Sequence, residues 1–352
     1  MNNLNQHGQN FVSALIAAKQ HSLQRTAAES STQKVHVVGA GRTLTSAYEQ
    51  LRNAAENTEE HLLLQRAIRR FYKRLFIAGS QNDIGTSGEE LVTELTLAGY
   101  LPNDSISTDL IRLLNEKAAE YYSAYTLLHE MGRHYSVDSW TIAVLAVEAE
   151  ALINDQGTRD SFIQFAFENF RSSIDTKTIG EPVPADYELS LYVAVHRALL
   201  KSDDATIRWA FLRRFQQTPS QLTGYVQANE KVDELLNSKL SEKLFRIINR
   251  QGAALRIVWR MVDDRDNVDE LLASRDKFLS AYESQINSEY EQINARINRG
   301  VVKSVIFLII TKFIIGLAIE VPYDYLVYGM IVWLPLIVNL LAPPVYMILL
   351  RL

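Results

Sequence analysis

The sequence predicts an all-α protein, a multi-helix cytoplasmic body followed by a C-terminal two-helix transmembrane hairpin. Three observations carry that expectation. Helix breakers are scarce before the C-terminal region, where only Pro102, Pro182, Pro184 and Pro219 interrupt a chain rich in Ala, Leu, Glu, Arg and Gln. Alternating β-branched runs are almost missing, with Val35 to Val38 the one short candidate strand. Finally, VVKSVIFLIITKFIIGLAI (Val301 to Ile319) and the apolar run Tyr325 to Leu350 each approach the roughly 20 residues that cross a hydrocarbon core as a helix.

Residues 1–42 are polar and form a flexible N-terminal segment, with one possible helix from Asn10 to Glu29 and a connector from Ser30 to Gly41. Ser46 and Glu49 make an S-x-x-E capping signature that opens a helix running to Phe76. Ser87 and Glu90 repeat it for a helix ending near Ala98, and Gly99 to Asp104 reads as a turn. Helices then follow at Thr108 to Met131, Val137 to Asn154 and Thr158 to Ser173. Two prolines in IGEPVPAD (Ile179 to Asp186) force extended backbone, so the body divides into helical domains at 43–180 and 181–300.

The second domain holds helices at Tyr187 to Lys201, Asp204 to Gln216 and Glu230 to Val262. A last one runs from Val268 to Asn298. Leu272, Leu279, Ile286 and Ile293 recur there every seven residues, the stripe of a short coiled coil or of an amphipathic helix packed on its own domain. Residues 301–352 complete the hairpin. Arg296, Arg299 and Lys303 precede its first span and Arg351 follows its second, while the connecting turn holds Glu320 and Asp324. By the positive-inside rule the body and the C-terminus face the cytoplasm. Met1 to Asn10 carries no Lys or Arg, which argues against a secretory signal.

Composition excludes several functions. The chain of 352 residues has no cysteine, so disulfides, thiolate catalysis and cysteine-ligated metals are ruled out. A net charge of -5 argues against nucleic acid as a partner.

The apparent motifs fail on geometry. Val35 to Leu51 imitates a dinucleotide fingerprint, but Leu44 stands at the third glycine position and no further strands exist to build a parallel sheet. His129 and His134 are five residues apart, one too many for the paired ligands of a zincin helix, so a basic helix C-terminus explains them. Asp263, Asp264, Asp266 and Asp269 lack the glycine and distal glutamate of a calcium loop. No cofactor and no metal is expected.

The remaining candidates are polar groups beside apolar ones. Arg66, Arg69, Arg70, Lys73 and Arg74 form a cationic stripe opposite Leu64, Ile68, Phe71 and Leu75, a solvated face, a contact for anionic lipid or an acidic partner, or, against the overall acidity, one for nucleic acid. Lys312 is charged within the first span, with Asn339 as its candidate polar partner, or it reaches the interface by snorkelling. In outline, a helical stalk, two spans and an acidic turn resemble the pore subunit of calcium uniporters. That family carries W-D-x-x-E-P in the turn, whereas this turn has Glu320 and Asp324 without the Trp-Asp pair, so no functional residue carries over. The expected function is therefore a non-catalytic scaffold on the bilayer, with a protein partner or self-association; the alternative is an oligomeric channel or transporter subunit whose turn acids attract cations.

Overall fold

A computed structural model describes residues 4–29, 34–37, 62–78, 81–175, 177, 179–180, 182–263, 271–272, 274–330 and 333–349. The protein is all-α. Among the described residues there is no β-strand, and the expected strand at Val35 is reduced to an isolated antiparallel bridge between Lys34 and Ser107. Contacts divide the chain into two compact units, Met1–Arg275 and Asp276–Leu352. The division falls well beyond the proline connector at Ile179 to Asp186 that the sequence suggests as a boundary.

In the first unit the helices are α1 (Gln6–Glu29), α2 (Leu63–Ala78), α3 (Gln81–Ile84), α4 (Gly88–Leu97), α5 (Thr108–Glu130), α6 (Val137–Trp140) and α7 (Ile142–Ile153). They continue as α8 (Gly157–Ser173), α9 (Tyr187–Leu200), α10 (Asp204–Arg214), α11 (Leu222–Leu236), α12 (Lys239–Gln251) and α13 (Ala253–Asp263). Two central helices are apolar nearly all round, as helices enclosed by neighbours must be. Helix α7 buries Ile142 to Val147 without interruption, and α9 buries Leu191, Val193, Ala194 and Val195 in its middle.

Each central helix organises one core. Around α7 gather Ile68 and Phe71 of α2, Leu91 and Leu95 of α4, Leu114 and Leu128 of α5, and Tyr225 of α11. Around α9 gather Phe162 and Phe167 of α8, Leu244 and Ile248 of α12, and Phe11 and Leu15 of α1. Phe11 stacks on Phe165 with ring centroids 4.5 Å apart. The helix expected from Asn10 to Glu29 thus forms, beginning at Gln6, and it is seated on α8 rather than belonging to a flexible segment.

Some helix boundaries differ from expectation for local reasons. The single helix expected over Glu230 to Val262 is three. Ser238 takes a β conformation and accepts from Leu240 N–H, opening α12, and Gly252 closes it. Ser87 does not cap α4; its hydroxyl donates to Ile84 O, and Asn115 Oδ1 accepts from Gly88 N–H at 2.7 Å instead. The capping signature at Ser46 and Glu49 lies outside the described residues.

The second unit contains α14 (Arg275–Ile315), a π turn (Gly316–Glu320), α15 (Val321–Tyr328) and α16 (Trp333–Leu349). Ile315 and Val321, on either side of the π turn, are both right-handed helical, so helical backbone continues from α14 into α15. The turn expected at Glu320 to Asp324 is absent. The chain instead leaves helix at Gly329, whose φ of 70° lies in the left-handed region that glycine adopts without a Cβ clash. Among the described residues no helix is long and apolar enough to cross a membrane. Lys303 and Lys312 punctuate the apolar end of α14, and α16, at 17 residues, spans roughly 25 Å at 1.5 Å per residue. The described helices therefore lend no support to the transmembrane hairpin expected from sequence.

Candidate functional sites

The apolar arm is the first candidate. Its large side chains stand open, with Phe307 67 %, Leu326 84 % and Leu334 75 % exposed, and they continue through Ile310, Phe313, Ile314, Val338 and Tyr346. A folded monomer in water rarely leaves so much contiguous apolar surface uncovered. Lys312 lies within α14, half-buried and engaged by a neighbouring group. Glu320 and Asp324 lie in helical backbone, in the π turn and α15, and Asn339 lies in α16. The structure therefore brings no acidic turn together at this arm.

The cationic stripe is a second. Helix α2 buries Ile68, Phe71 and Phe76 in the core and turns Arg66, Arg69, Lys73 and Arg74 outward, with Arg70 half-covered. Two of the cations are paired: Arg74 with Glu94 at 2.5 Å and Lys73 with Asp138 at 3.2 Å. Both pairs are exposed, and such pairs add at most about 1 kcal/mol. Arg66 and Arg70 are engaged as well. Most of the stripe is thus tied to neighbouring groups.

His129 and His134 are closer than their spacing suggests. Helix α5 ends at Glu130, and Gly132, with φ of 75°, reverses the chain. The two Nδ1 atoms then lie 2.9 Å apart. Rotation along a continuous helix would have separated the rings, but the helix stops between them. Among the described residues no group of three His, Asp or Glu side chains is arranged to hold a metal ion. Of the acidic run after α13, Asp263 closes that helix, while Asp264, Asp266 and Asp269 lie outside the described residues. The glycine pair at Gly39 and Gly41 lies outside them too.

A third group escaped sequence reasoning because its members are scattered over α2 and α7 to α10. Asp203 caps α10, its Oδ1 accepting from Thr206 N–H at 2.9 Å and its Oδ2 from Gln65 Nε2 at 3.1 Å. Beside it, Arg159 Nη2 donates to Ser202 Oγ at 3.0 Å, and that oxygen lies 3.2 Å from His196 Nδ1. His196 is 1 % exposed and its Nε2 has no hydrogen-bond partner. Burial, helped by the Arg159 charge, pushes the imidazole down to about 3, so it is neutral at physiological pH. Burial pushes the nearby Glu150 carboxyl up to about 7, against the pull of Arg159. No local pattern marks these residues; only the apolar flanks of α9 signal that His196 would be enclosed.

A further network ties α6, α10 and α11 together. Arg208 donates to Asn229 Oδ1 at 3.0 Å and to Asp233, while Trp140 Nε1 donates to Asp233 Oδ2 at 3.0 Å. It joins helices rather than lining an opening.

Comparison with known protein families, with curated proteins and with solved structures finds no match to this chain.

Proposed function

We propose that this is a membrane-anchored, non-catalytic helical protein, whose body acts as a scaffold for partners at the cytoplasmic face and whose C-terminal arm is taken up by lipid. The observation that carries this is the open apolar surface along 302–349. Burying it at about 25 cal/mol per Å2 offers a large driving force, and lipid is the cover that needs no shape complementarity. The continuous helical backbone adds support. From Val305 to Tyr328 it extends for roughly 36 Å at 1.5 Å per residue, comparable with the thickness of a hydrocarbon core. On this reading the hairpin bends at Gly329 and Arg299 and Lys303 mark the cytoplasmic edge.

The exposed Leu279, Tyr290, Ile293 and Ile297 on α14 favour self-association through the helix that enters the bilayer. Crosslinking the intact protein in its own membrane tests the scaffold role. A reproducible neighbour, or crosslinks between copies through α14, is expected. A protein that stays strictly monomeric and yields no crosslinked neighbour overturns it.

A further inference from the structure

The first unit carries a cavity that the membrane reading does not use. It has a volume of about 460 Å3 and opens where α7 ends, α8 begins and α9 ends, with α13 along one side. Pockets of roughly 300–1,000 Å3 are the size range of small-molecule sites. Arg159, Lys201, Arg256 and Arg260 face it, against Glu150, Asp155 and Asp263. Four cations against three acids leave an excess of positive charge, and the excess grows because Glu150, pushed up to about 7, is partly protonated at neutral pH.

Arg159 and Arg256 are held by neutral acceptors. Arg159 donates to the neutral Ser202 Oγ, and Arg256 Nη1 donates to Ala198 O at 3.3 Å and to Asn249 O at 3.2 Å. Among the described residues neither has a carboxylate within ion-pairing distance. Asp155 is turned to the backbone instead, its Oδ1 accepting from Gly157 N–H at 2.9 Å where α8 begins. Arg159 is drawn out of water with Glu150, Asp160, Asp203 and Asp263 near it but none within ion-pairing distance, so an incoming anion can still gain charge-assisted, bidentate hydrogen bonds from it.

Behind the cavity lies a water-sized space of about 10 Å3, lined by His196, Thr206 and Trp209 and sharing Glu150, Gln156 and Arg159 with it. His196, whose Nε2 has no hydrogen-bond partner, is among the residues lining this space. The outer wall is different in kind. Trp259, partly buried against Phe162 at a centroid distance of 5.1 Å, and Leu199 present apolar surface suited to a flat ring.

We infer that this cavity binds a small anion, a phosphate or carboxylate, attached to a flat ring, with Arg159 and Arg256 holding the anionic group and Trp259 the ring. Phosphate and carboxylate share the chemistry that the arginines recognise, and the test separates them.

The intact protein in detergent micelles is titrated calorimetrically with phenyl phosphate, benzoate, inorganic phosphate and phenol. Saturable binding of phenyl phosphate or benzoate is expected, with Kd of about 1 mM or tighter for a ligand of roughly ten heavy atoms. The stronger of the two identifies the anionic group. Lys201→Gly removes one cation at a residue whose φ of 51° suits glycine, and Arg260→Gln removes another from the exposed rim. Each is expected to weaken binding several-fold with the melting temperature kept or raised, and Trp259→Phe to keep binding because a flat ring remains. Absence of saturable binding by both ring-bearing anions overturns the inference. So does phenol binding as well as phenyl phosphate, inorganic phosphate binding equally tightly, or unchanged affinity in both charge variants.

Discussion

Arg208 of α10 donates to the Asp233 carboxylate of α11 with its own side chain 4 % exposed and the carboxylate 40 % exposed. The pair's helices feed both the core around α7, through Leu212 and Tyr225, and a smaller cluster of Val193, Ile207, Phe211 and Val232, and Trp140 Nε1 shares the same carboxylate. A cation buried this deeply depends on its partner more than the partner depends on it.

Removing the acid should therefore cost more than removing both charges. Asp233→Ala is expected to destabilise the protein by about 3 kcal/mol, because Arg208 stays buried without its counter-charge and Trp140 Nε1 loses its acceptor. Arg208→Met combined with Asp233→Leu should recover part of that loss. Denaturant unfolding of the detergent-solubilised protein, followed by tryptophan fluorescence, checks both.

Glu150 gives stability a pH dependence of known sign. Burial holds its proton in the folded state up to about 7, whereas the unfolded chain releases it near the usual glutamate value of 4.5. Between those values the folded state binds more protons, so the contribution of this group falls as pH rises and stays low above 7. Glu150→Gln should raise stability at pH 8 by about 1–3 kcal/mol and change it little at pH 4. His196 works in the opposite sense. Buried neutral and pushed down to about 3, it favours the folded state less as pH falls below the usual imidazole range. That term is common to both proteins, so the difference between their unfolding curves isolates Glu150.

Gly252 is required for a close approach rather than for a turn. A Cβ there would lie 2.5 Å from Leu199 Cδ2 and 2.7 Å from Ile248 O. Gly252→Ala is expected to cost about 1–3 kcal/mol by pushing the α12–α13 junction away from α9. Thermal unfolding of the variant beside the wild-type chain measures it.

Most of the helices were legible because their signals are local. Ser107 caps α5, accepting from Leu110 N–H at 3.3 Å, and Asp203 caps α10, so both starts follow from residue type and position. The split of Glu230 to Val262 was missed because Ser238 and Gly252 sit in strongly helix-forming sequence, where a single cap outweighs the propensity of its neighbours. The turn at Glu320 to Asp324 failed for a related reason. Pro322 comes two residues after the π turn Gly316–Glu320, and helical backbone runs on through it, so the proline did not end the helix. The polar group around Arg159, His196 and Ser202 left no trace in sequence, since its members converge only when α8, α9 and α10 pack together. The contact between His129 and His134 was likewise hidden, because it depends on the chain reversal at Gly132.

The most direct measurement is alkaline carbonate extraction of membranes carrying either the full chain or a chain ending at Arg299. The full chain is expected to remain in the pellet and the shortened one to be released, since only residues beyond Arg299 supply the apolar arm. Release of the full chain into the supernatant, or retention of the shortened one, would contradict anchoring by this arm.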